Sequence, residues 1–469
     1  MAEPGKRAKR RFPPERRSRH AGACGGRTVR LRGESPPDHL NAGVAEPADW
    51  KAMPTNPSSG ATITGIGAQL AGVSGVSDFW CALRSANPGV RRLRETEFEG
   101  LAAPLGARVS RRRPVKLLPG LESRFADAYG DDILLTMAAA EQARTDAGLT
   151  SEKVDPQRIG VLASSSRGPL QWWDDQPDTA ERGPGRAAAL VSLPGAPASL
   201  YAVYAGLRGP VATLSSACVG GHQAVGWAAD LLAANVVDAM IVVGHEFPLV
   251  PGLMRTYEAL GVLSGQIDRP EEALRPYSSD RDGFVLGEGA VALTLERAGD
   301  VRRRGAESYA TVLGQRSENE AAHATSMDPS GRSMAGLVRR LFEGTGVAAD
   351  NLSYVCGHAS ATGINDVAEC RCLGMLYEGR PHASRPPLGG NKPVFGHTLG
   401  ASGVVNAAAC ALMIRHQELA PTRIVGTIDP ECAHDHVSEG PRRTRVRSTL
   451  SLSFALGSQS SALLLGEPA

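Results

Sequence analysis

The chain has 469 residues, 42% of them hydrophobic and 21% charged, an ordinary globular composition with room for two domain-sized cores. Its 51 basic and 49 acidic side chains nearly cancel, yet the first 33 residues hold eleven Lys and Arg against Glu3 and Glu15, a net of +9 that leaves about −7 on the other 436. That mildly acidic body argues against a nucleic-acid partner; no apolar run reaches the ~18–20 residues of a membrane span, and eight scattered cysteines without a CxxC pair suit a reducing, cytoplasmic compartment rather than a disulfide framework.

Residues 1–57 are dense in Arg, Pro, Gly and Ser and show no apolar periodicity, so they are expected to form a disordered basic extension. No apolar block of roughly 7–15 residues follows the basic stretch, which argues against a secretory signal; a transit peptide, or a true start at Met53, are the other readings. From residue 60 onward β-rich runs alternate with helical ones. Strands are predicted at 61–66, 158–163, 212–216, 239–244, 290–296, 310–313, 353–357, 449–454 and 462–466, and helices at 78–86, 133–147, 221–234, 334–344, 367–376 and 403–415. Strands separated by helices imply helix-covered sheets, an α/β fold. A charged stretch at 296–307 divides the body into two halves of similar rhythm, 58–300 and 301–469. Gly65-Ile66-Gly67 after the first strand is not a dinucleotide loop, because Leu70 stands where the third glycine belongs. Neither a GxSxG elbow nor a P-loop occurs.

The segment from Thr213 to Asp230 carries the first chemical signal. A β-run ends in small residues, Cys218 sits in the turn, and an Ala-rich helix follows, so the sulfur is expected near a helix N-terminus that favours thiolate. Two histidine segments lie downstream. His358 opens His-Ala-Ser-Ala-Thr362 and is followed by Asp366 and Glu369; Lys392 precedes Gly396-His397. Each histidine stands in a small-residue loop before a helix, where a scaffold displays functional side chains. Together they make a Cys-His-His set.

These motifs, in this order, resemble those of the β-ketoacyl synthases, condensing enzymes of the thiolase fold. The resemblance rests on Ser216-Ala-Cys218-Val-Gly-Gly221, on Arg275-Pro276 through Asp282-Gly-Phe-Val285 and Gly287-Glu288-Gly289, on His358 through Glu369, on Lys392 through His397, and on an altered Ser453-Phe-Ala-Leu-Gly-Ser-Gln-Ser460; it covers about residues 60–466. It implies two related halves, each a helix-covered mixed sheet, in five α-β-α-β-α layers. It implies a decarboxylating Claisen condensation between an enzyme-bound acyl group and malonyl on an acyl carrier protein. Cys218, His358, His397 and Lys392 form the implied catalytic set. Cys218 would take the acyl group as a thioester, the histidines would donate to the enolate oxygen, and the backbone N–H groups of Cys218 and Leu456 would make an oxyanion hole. Lys392, in a charge network with Asp366 and Glu369, would hold the histidine loop; it is the one lysine after Lys153 in a chain that writes nearly every basic residue as Arg. Ser360 and Thr362 would bind the phosphopantetheine arm, and Glu288 would tie loops near the site.

No metal or other cofactor is expected: Cys432-Ala-His434-Asp-His436 has ligand types at a spacing that offers no tetrahedral cage. Cys370 and Cys372, at i and i+2 of a helix, face apart. Trp172-Trp173 reads as a packed interface patch. Departures from the family pattern point to a specialised synthase of polyketide or other secondary metabolism: alanines at 359 and 361, whose methyls would crowd the arm's channel, Leu456 in place of a gating Phe, Asn406 in place of Glu, and Ser278 in place of Asp. Two other readings are a non-condensing subunit of the chain-length-factor kind and an acyltransferase that forms no carbon–carbon bond. The implied partners are an acyl carrier protein and a second subunit, identical or ketosynthase-like. Arg91, Arg92, Arg94 and Arg111-Arg112-Arg113 are the candidate basic surface for an acidic carrier. Because the basic extension lies outside the region of resemblance, a chain begun at Met53 is expected to retain acyl transfer at the full-length rate; a lost or strongly reduced rate would contradict this.

Overall fold

Five strands of the first half, β1 (Ala61–Leu70), β2 (Ile159–Ser164), β3 (Val211–Leu214), β4 (Ala239–Glu246) and β5 (Gly289–Arg297), align in the order β3-β2-β4-β5-β1. Five from the second, β6 (Ala310–Asn319), β7 (Tyr354–Cys356), β8 (Leu388–Gly389), β9 (Ser448–Ala455) and β10 (Gln459–Gly466), align as β8-β7-β9-β10-β6. Counted within its own half, each sheet has the same order, third-second-fourth-fifth-first. The orientations repeat as well. The first three in that order run parallel, and the fifth strand is antiparallel to both neighbours. The first strands of the two halves meet edge to edge, Ala61–Ile63 against Ala310–Val312. The computed structural model describes residues 60–468 except 95, 111–113, 171–172, 174–186 and 382–383. The basic extension, Arg111-Arg112-Arg113 and Trp172 therefore lie outside the described residues.

Helices complete the layers. Helices α1 (Asp131–Asp146) and α2 (Ala196–Ala205) cover the outer face of the first sheet, and their alanines, with Ile133, Leu134 and Tyr201, pack on β2 and β4. Between the sheets lies α3 (Gly220–Ala233); α4 (Pro251–Leu260) stands near the site. Helices α5 (Arg332–Thr345) and α6 (Gly363–Leu376) cover the second sheet from outside, and α7 (Ser402–His416) shares the middle layer with α3. Both middle helices touch strands of both sheets. Every residue of α7 from Ser402 to Ile414 is buried, the signature of a helix with no solvent face. The five layers and the two related halves match the implied fold.

Helix α3 and helix α7 approach backbone to backbone at their first turns. A Cβ on Gly403 would stand 2.5 Å from the His222 nitrogen, and one on Gly221 2.6 Å from the Val404 nitrogen. Neither main chain can yield without moving a layer of the core. Glycine is therefore dictated at both positions by approach distance.

Strand β6 runs six residues beyond its predicted end, because the polar stretch Gln315–Asn319 pairs fully with β10. The predicted list lacked α2, α4 and β8. Strand β8 has two residues, too few for a period, and exists through its pairing with Val355 and Cys356.

Gly403→Ala is expected to lower stability by about 1–3 kcal/mol, as overpacking of a closed core does, and to slow acylation of Cys218 beyond what the lost folded population explains. Thermal unfolding combined with an active-site titration checks both. Wild-type behaviour on either count would show that the helices can part.

Candidate active site

Strand β3 stops at Leu214, two serines follow, and a single 3-10 turn, Ala217–Val219, leads into α3. Ala217 is left-handed at φ 47°, a strained conformation for a residue with a Cβ. The turn presents the Cys218 side chain, 8% exposed, toward the second half. The Ser453 hydroxyl from β9 donates to the Cys218 carbonyl at 2.8 Å and pins the turn across the half boundary.

His397 reaches the same point from the loop before α7. Its Nε2 lies 3.5 Å from Cys218 Sγ. Its Nδ1 accepts from the Leu399 N–H at 3.3 Å and lies 3.1 Å from the Ser402 hydroxyl. A backbone N–H can only donate, so Nδ1 is the acceptor and Nε2 carries the proton. The imidazole thus presents an N–H to the sulfur. Burial, then the Lys392 charge, hold its pKa well below the ordinary value, so it is neutral at pH 7. His358 is neutral for the same reasons, in the same order. The rings of the two histidines meet edge to face, centroids 5.0 Å apart. Ligating atoms of Cys218, His358 and His397 all lie within 4.8 Å of one another.

The thiol departs from expectation. The helix N-terminus predicts a thiolate, but burial pushes the Cys218 thiol up to about 12, opposed by the Lys392 charge. Desolvation outweighs the end of the helix here, because almost no water reaches the sulfur.

The His358 loop is held by its backbone. Lys392 Nζ donates to the His358 carbonyl, and Glu369 accepts from the His358 N–H and, at 3.2 Å, from the Ala359 N–H. Asp366 accepts from the Ala361 N–H at 3.2 Å. Lysine and glutamate thus grip one peptide segment from opposite sides, all of it buried. Burial lowers the Lys392 pKa and Glu369 opposes that shift; burial raises Glu369 to about 8.

Ala359 and Ala361 are both left-handed, at φ 48° and 62°, and both fully buried. Their methyls were expected in the arm's channel. They point instead into the core: a Cβ on Gly390 would fall 2.3 Å from the Ala359 methyl, and Ala361 packs with Val90, Leu105 and Val285. Only His358, Ser360 and Thr362 of this loop face the cavity. The alternating left-handed residues send the methyls one way and the functional side chains the other.

The cavity has a volume of about 750 Å³ and is bounded by Cys218, both histidines, Phe284, Phe454 and Leu456. Ser360 and Thr362 line it with hydroxyls 2.9 Å apart. Leu456 stands at the mouth, 40% exposed. Glu288 is buried outside the cavity and accepts from the Val109 N–H at 3.1 Å, joining two loops. Asn406 accepts from the Asn391 amide at 3.0 Å, and Ser278 donates to the Val425 carbonyl at 2.5 Å. Trp173 is 60% exposed on this chain. In the Cys432 to His436 segment, both His436 ring nitrogens face backbone carbonyls, of Leu388 at 2.7 Å and Cys432 at 2.9 Å, so the ring is engaged by main chain.

Sequence reasoning missed several groups. Buried Glu246, at the end of β4, accepts from the Ser166 N–H at 2.6 Å, the Arg167 N–H at 3.1 Å and the Gly400 N–H at 3.0 Å, binding the turn after β2 to the turn after His397. Tyr277 donates through its N–H to Asp366 at 2.8 Å and through its hydroxyl to Glu369 at 3.1 Å. Arg281 pairs with Asp429 at 2.7 Å and approaches Asp366 at 3.7 Å. Each acts through a partner distant in sequence, which spacing does not reveal.

Residues 61–300 match the family model described as beta-ketoacyl synthase, N-terminal domain, and residues 309–425 its C-terminal domain. The chain is similar to the tetracenomycin polyketide synthase ketoacyl synthase alpha subunit of Streptomyces glaucescens, 32% identical over 87% of this chain and 96% of that one. Among solved structures it is similar to a type II polyketide synthase carrier protein in complex with its ketosynthase bound to the hexaketide, at TM-score 0.77 and 24% identity, over 87% of this chain and 100% of that one. The ishigamide ketosynthase/chain length factor matches at TM-score 0.79 and 24% identity, over 88% and 100%. The chain belongs to the β-ketoacyl synthase family. It is a condensing enzyme of the acyltransferase class.

Burial of neutral histidines makes stability pH-dependent. His245 is lowered to about 4 and His222 to about 3, by burial in both cases. The unfolded chain takes up a proton on each near ~6.5 and the folded chain does not, so their contribution is complete above that pH and is lost as pH falls toward the folded values. Glu369, raised by burial, has the opposite sign, so a difference between proteins isolates one group. Relative to His245→Gln, wild type is expected to lose about 1.2 kcal/mol of stability between pH 6 and 5. Parallel unfolding curves across that range would contradict a neutral His245.

Proposed function

We propose that this enzyme performs a decarboxylative Claisen condensation between an acyl group carried on Cys218 and malonyl on an acyl carrier protein, in a polyketide or related secondary pathway. One observation supports it above the others: the Nε2–H of His397 faces Cys218 Sγ at 3.5 Å, its tautomer fixed by the Leu399 N–H. That is an arrangement for stabilising developing negative charge, not for holding a resting cation.

The sulfur attacks the thioester carbonyl of the incoming acyl carrier, the carrier's C–S bond breaks, and the carrier thiol leaves with the proton that Cys218 gives up. Malonyl then loses CO2, and the electron pair of the broken C–C bond becomes an enolate whose oxygen accepts from His358 and His397. The enolate carbon attacks the acyl-Cys218 carbonyl, whose oxygen meets the backbone N–H groups of Cys218 and Leu456. The C–S bond breaks, and the Cys218 sulfur recovers a proton from solvent. Lys392, Glu369 and Asp366 are positioning residues, since they grip the His358 backbone. Ser360 and Thr362 receive the phosphopantetheine arm along the cavity wall. The substrates bring that arm with them, and the chemistry needs no further cofactor.

The relatives' names support the partners: an acyl carrier protein, and a second subunit, identical or of the chain-length-factor kind. Edge strand β3, which leads into the Cys218 turn, leaves Val211 exposed as a place for that subunit. Arg91, Arg92 and Arg94 are exposed and offer an acidic carrier a basic surface. Among the described residues no helix is long and apolar enough to cross a membrane, in keeping with a cytoplasmic site of action.

Purified enzyme given an acyl carrier should gain the acyl mass on Cys218 and, on addition of malonyl carrier, release CO2 with a β-ketoacyl product. Cys218→Ala should abolish loading. His358→Ala and His397→Ala should each lower condensation by roughly 10²–10³, the cost of one such donor. Loading without CO2 would identify an acyltransferase, and no loading across chain lengths a non-condensing subunit.

A further inference from the structure

The repeated topology places two turns opposite one another at the cavity. The turn after the second strand of the second half, His358 to Thr362, supplies one lip. Its counterpart after the second strand of the first half is Ser165-Ser166-Arg167-Gly168, and Ser166 and Arg167 bound the same cavity. That counterpart is rigid: Glu246 takes the N–H groups of Ser166 and Arg167, and the Ser165 hydroxyl accepts from Gly168 at 2.9 Å. A guanidinium is thus presented to the cavity from an immobilised turn.

The surroundings of that cation are unusual. Arg167 and Tyr257 line the same cavity, and the Arg167 charge acts on the Tyr257 hydroxyl. Tyr257 is buried, packs edge-on against Phe284 at 5.8 Å, and Phe284 packs edge-on against His397 at 4.9 Å. The aromatic row leads from Arg167 to the reacting centre. The cavity wall has an apolar part, with Leu260, Val262, Phe284 and Leu399, and a polar part, with Ser215, Asp282 and Thr325. Among the described residues no carboxylate pairs with the Arg167 side chain. Arg167 is exposed where it bounds the cavity, so solvent serves its guanidinium, and a chain that fills the cavity displaces that solvent and must itself supply the acceptor.

We infer that Arg167 and Tyr257 form a specificity site for oxygen on the acyl chain, selecting acyl groups that bear a ketone or carboxylate beyond the thioester over saturated chains. The site rests on the reading of Cys218 as the acyl acceptor. A ketone accepts from the Tyr257 hydroxyl and the guanidinium; a carboxylate takes two parallel N–H groups of the fork. Saturated chains leave both donors without a partner and are selected against.

The test uses the full chain and three N-acetylcysteamine thioesters: octanoyl, its analogue with a mid-chain ketone, and its analogue with a terminal carboxylate. These probes lack the carrier and its phosphate, so any contact Arg167 makes with either is removed. Intact mass follows the rate of Cys218 acylation. Wild type should load at least one oxygenated thioester roughly 10- to 100-fold faster than octanoyl, the discrimination of a charge-assisted hydrogen bond. Arg167→Leu should bring that ratio to near unity. Arg167→Lys should keep part of a carboxylate preference, and Tyr257→Phe should weaken a ketone preference first. Ratios within one protein are unaffected by its folded fraction. A wild-type ratio near unity, a preference that survives Arg167→Leu, or an equal slowing of all three probes would overturn the inference while leaving Cys218 the acceptor. Loading of none of the three would overturn the acceptor reading and the inference with it.

Discussion

The site depends on a contact between two main chains. At Gly221 and Gly403 the first turns of the two central helices leave no room for a Cβ. That approach brings the Cys218 turn of one half to His397 of the other. The sulfur and the imidazole belong to different sheets, yet they meet at 3.5 Å. Helices held a side chain further apart would leave the sulfur and the histidine out of reach of each other. The buried apolar length of α7 supplies the force that keeps the helices together, and glycine sets how far it acts.

A second constraint acts within the histidine loop. Alanines at φ 48° and 62° cost roughly 1–2 kcal/mol each relative to glycine. The loop keeps this geometry because carboxylates at 366 and 369 take successive backbone N–H groups while Lys392 takes the carbonyl. Burying three ionisable side chains is expensive in isolation, and the hydrogen bonds to main chain and to Tyr277 offset it. The two histidines stay neutral beside a lysine because none of the groups has water to share.

Much of this was legible in the sequence, for reasons that can be named. Cys218 and His358 each follow a strand end, and His397 stands in a small-residue loop before a helix, so local patterns announce them. The position of Lys392 was marked by its isolation in an arginine-rich chain. The fold class followed from strands alternating with helices, and the repeat from the similar rhythm of the two halves. What failed was whatever depends on burial or on direction. The Cys218 thiol is pushed up rather than down because desolvation is a property of the folded core. The methyls of Ala359 and Ala361 turn inward because φ is positive, which an alanine in a sequence gives no reason to expect. Glu246 was invisible because its partners lie about 80 and 154 residues away.

The pairing of Ala359 with Gly390 bears on how such a sequence can change. A methyl at 359 occupies the space that a side chain at 390 would need. One of the two positions can carry a Cβ, and the backbone torsion favours placing it at 390. The present arrangement is the inverse of that preference. Its two residues are therefore epistatically locked: a larger residue at 390 is tolerated after 359 has become glycine and excluded before it, so the order of substitution decides which histidine loops this lineage can reach.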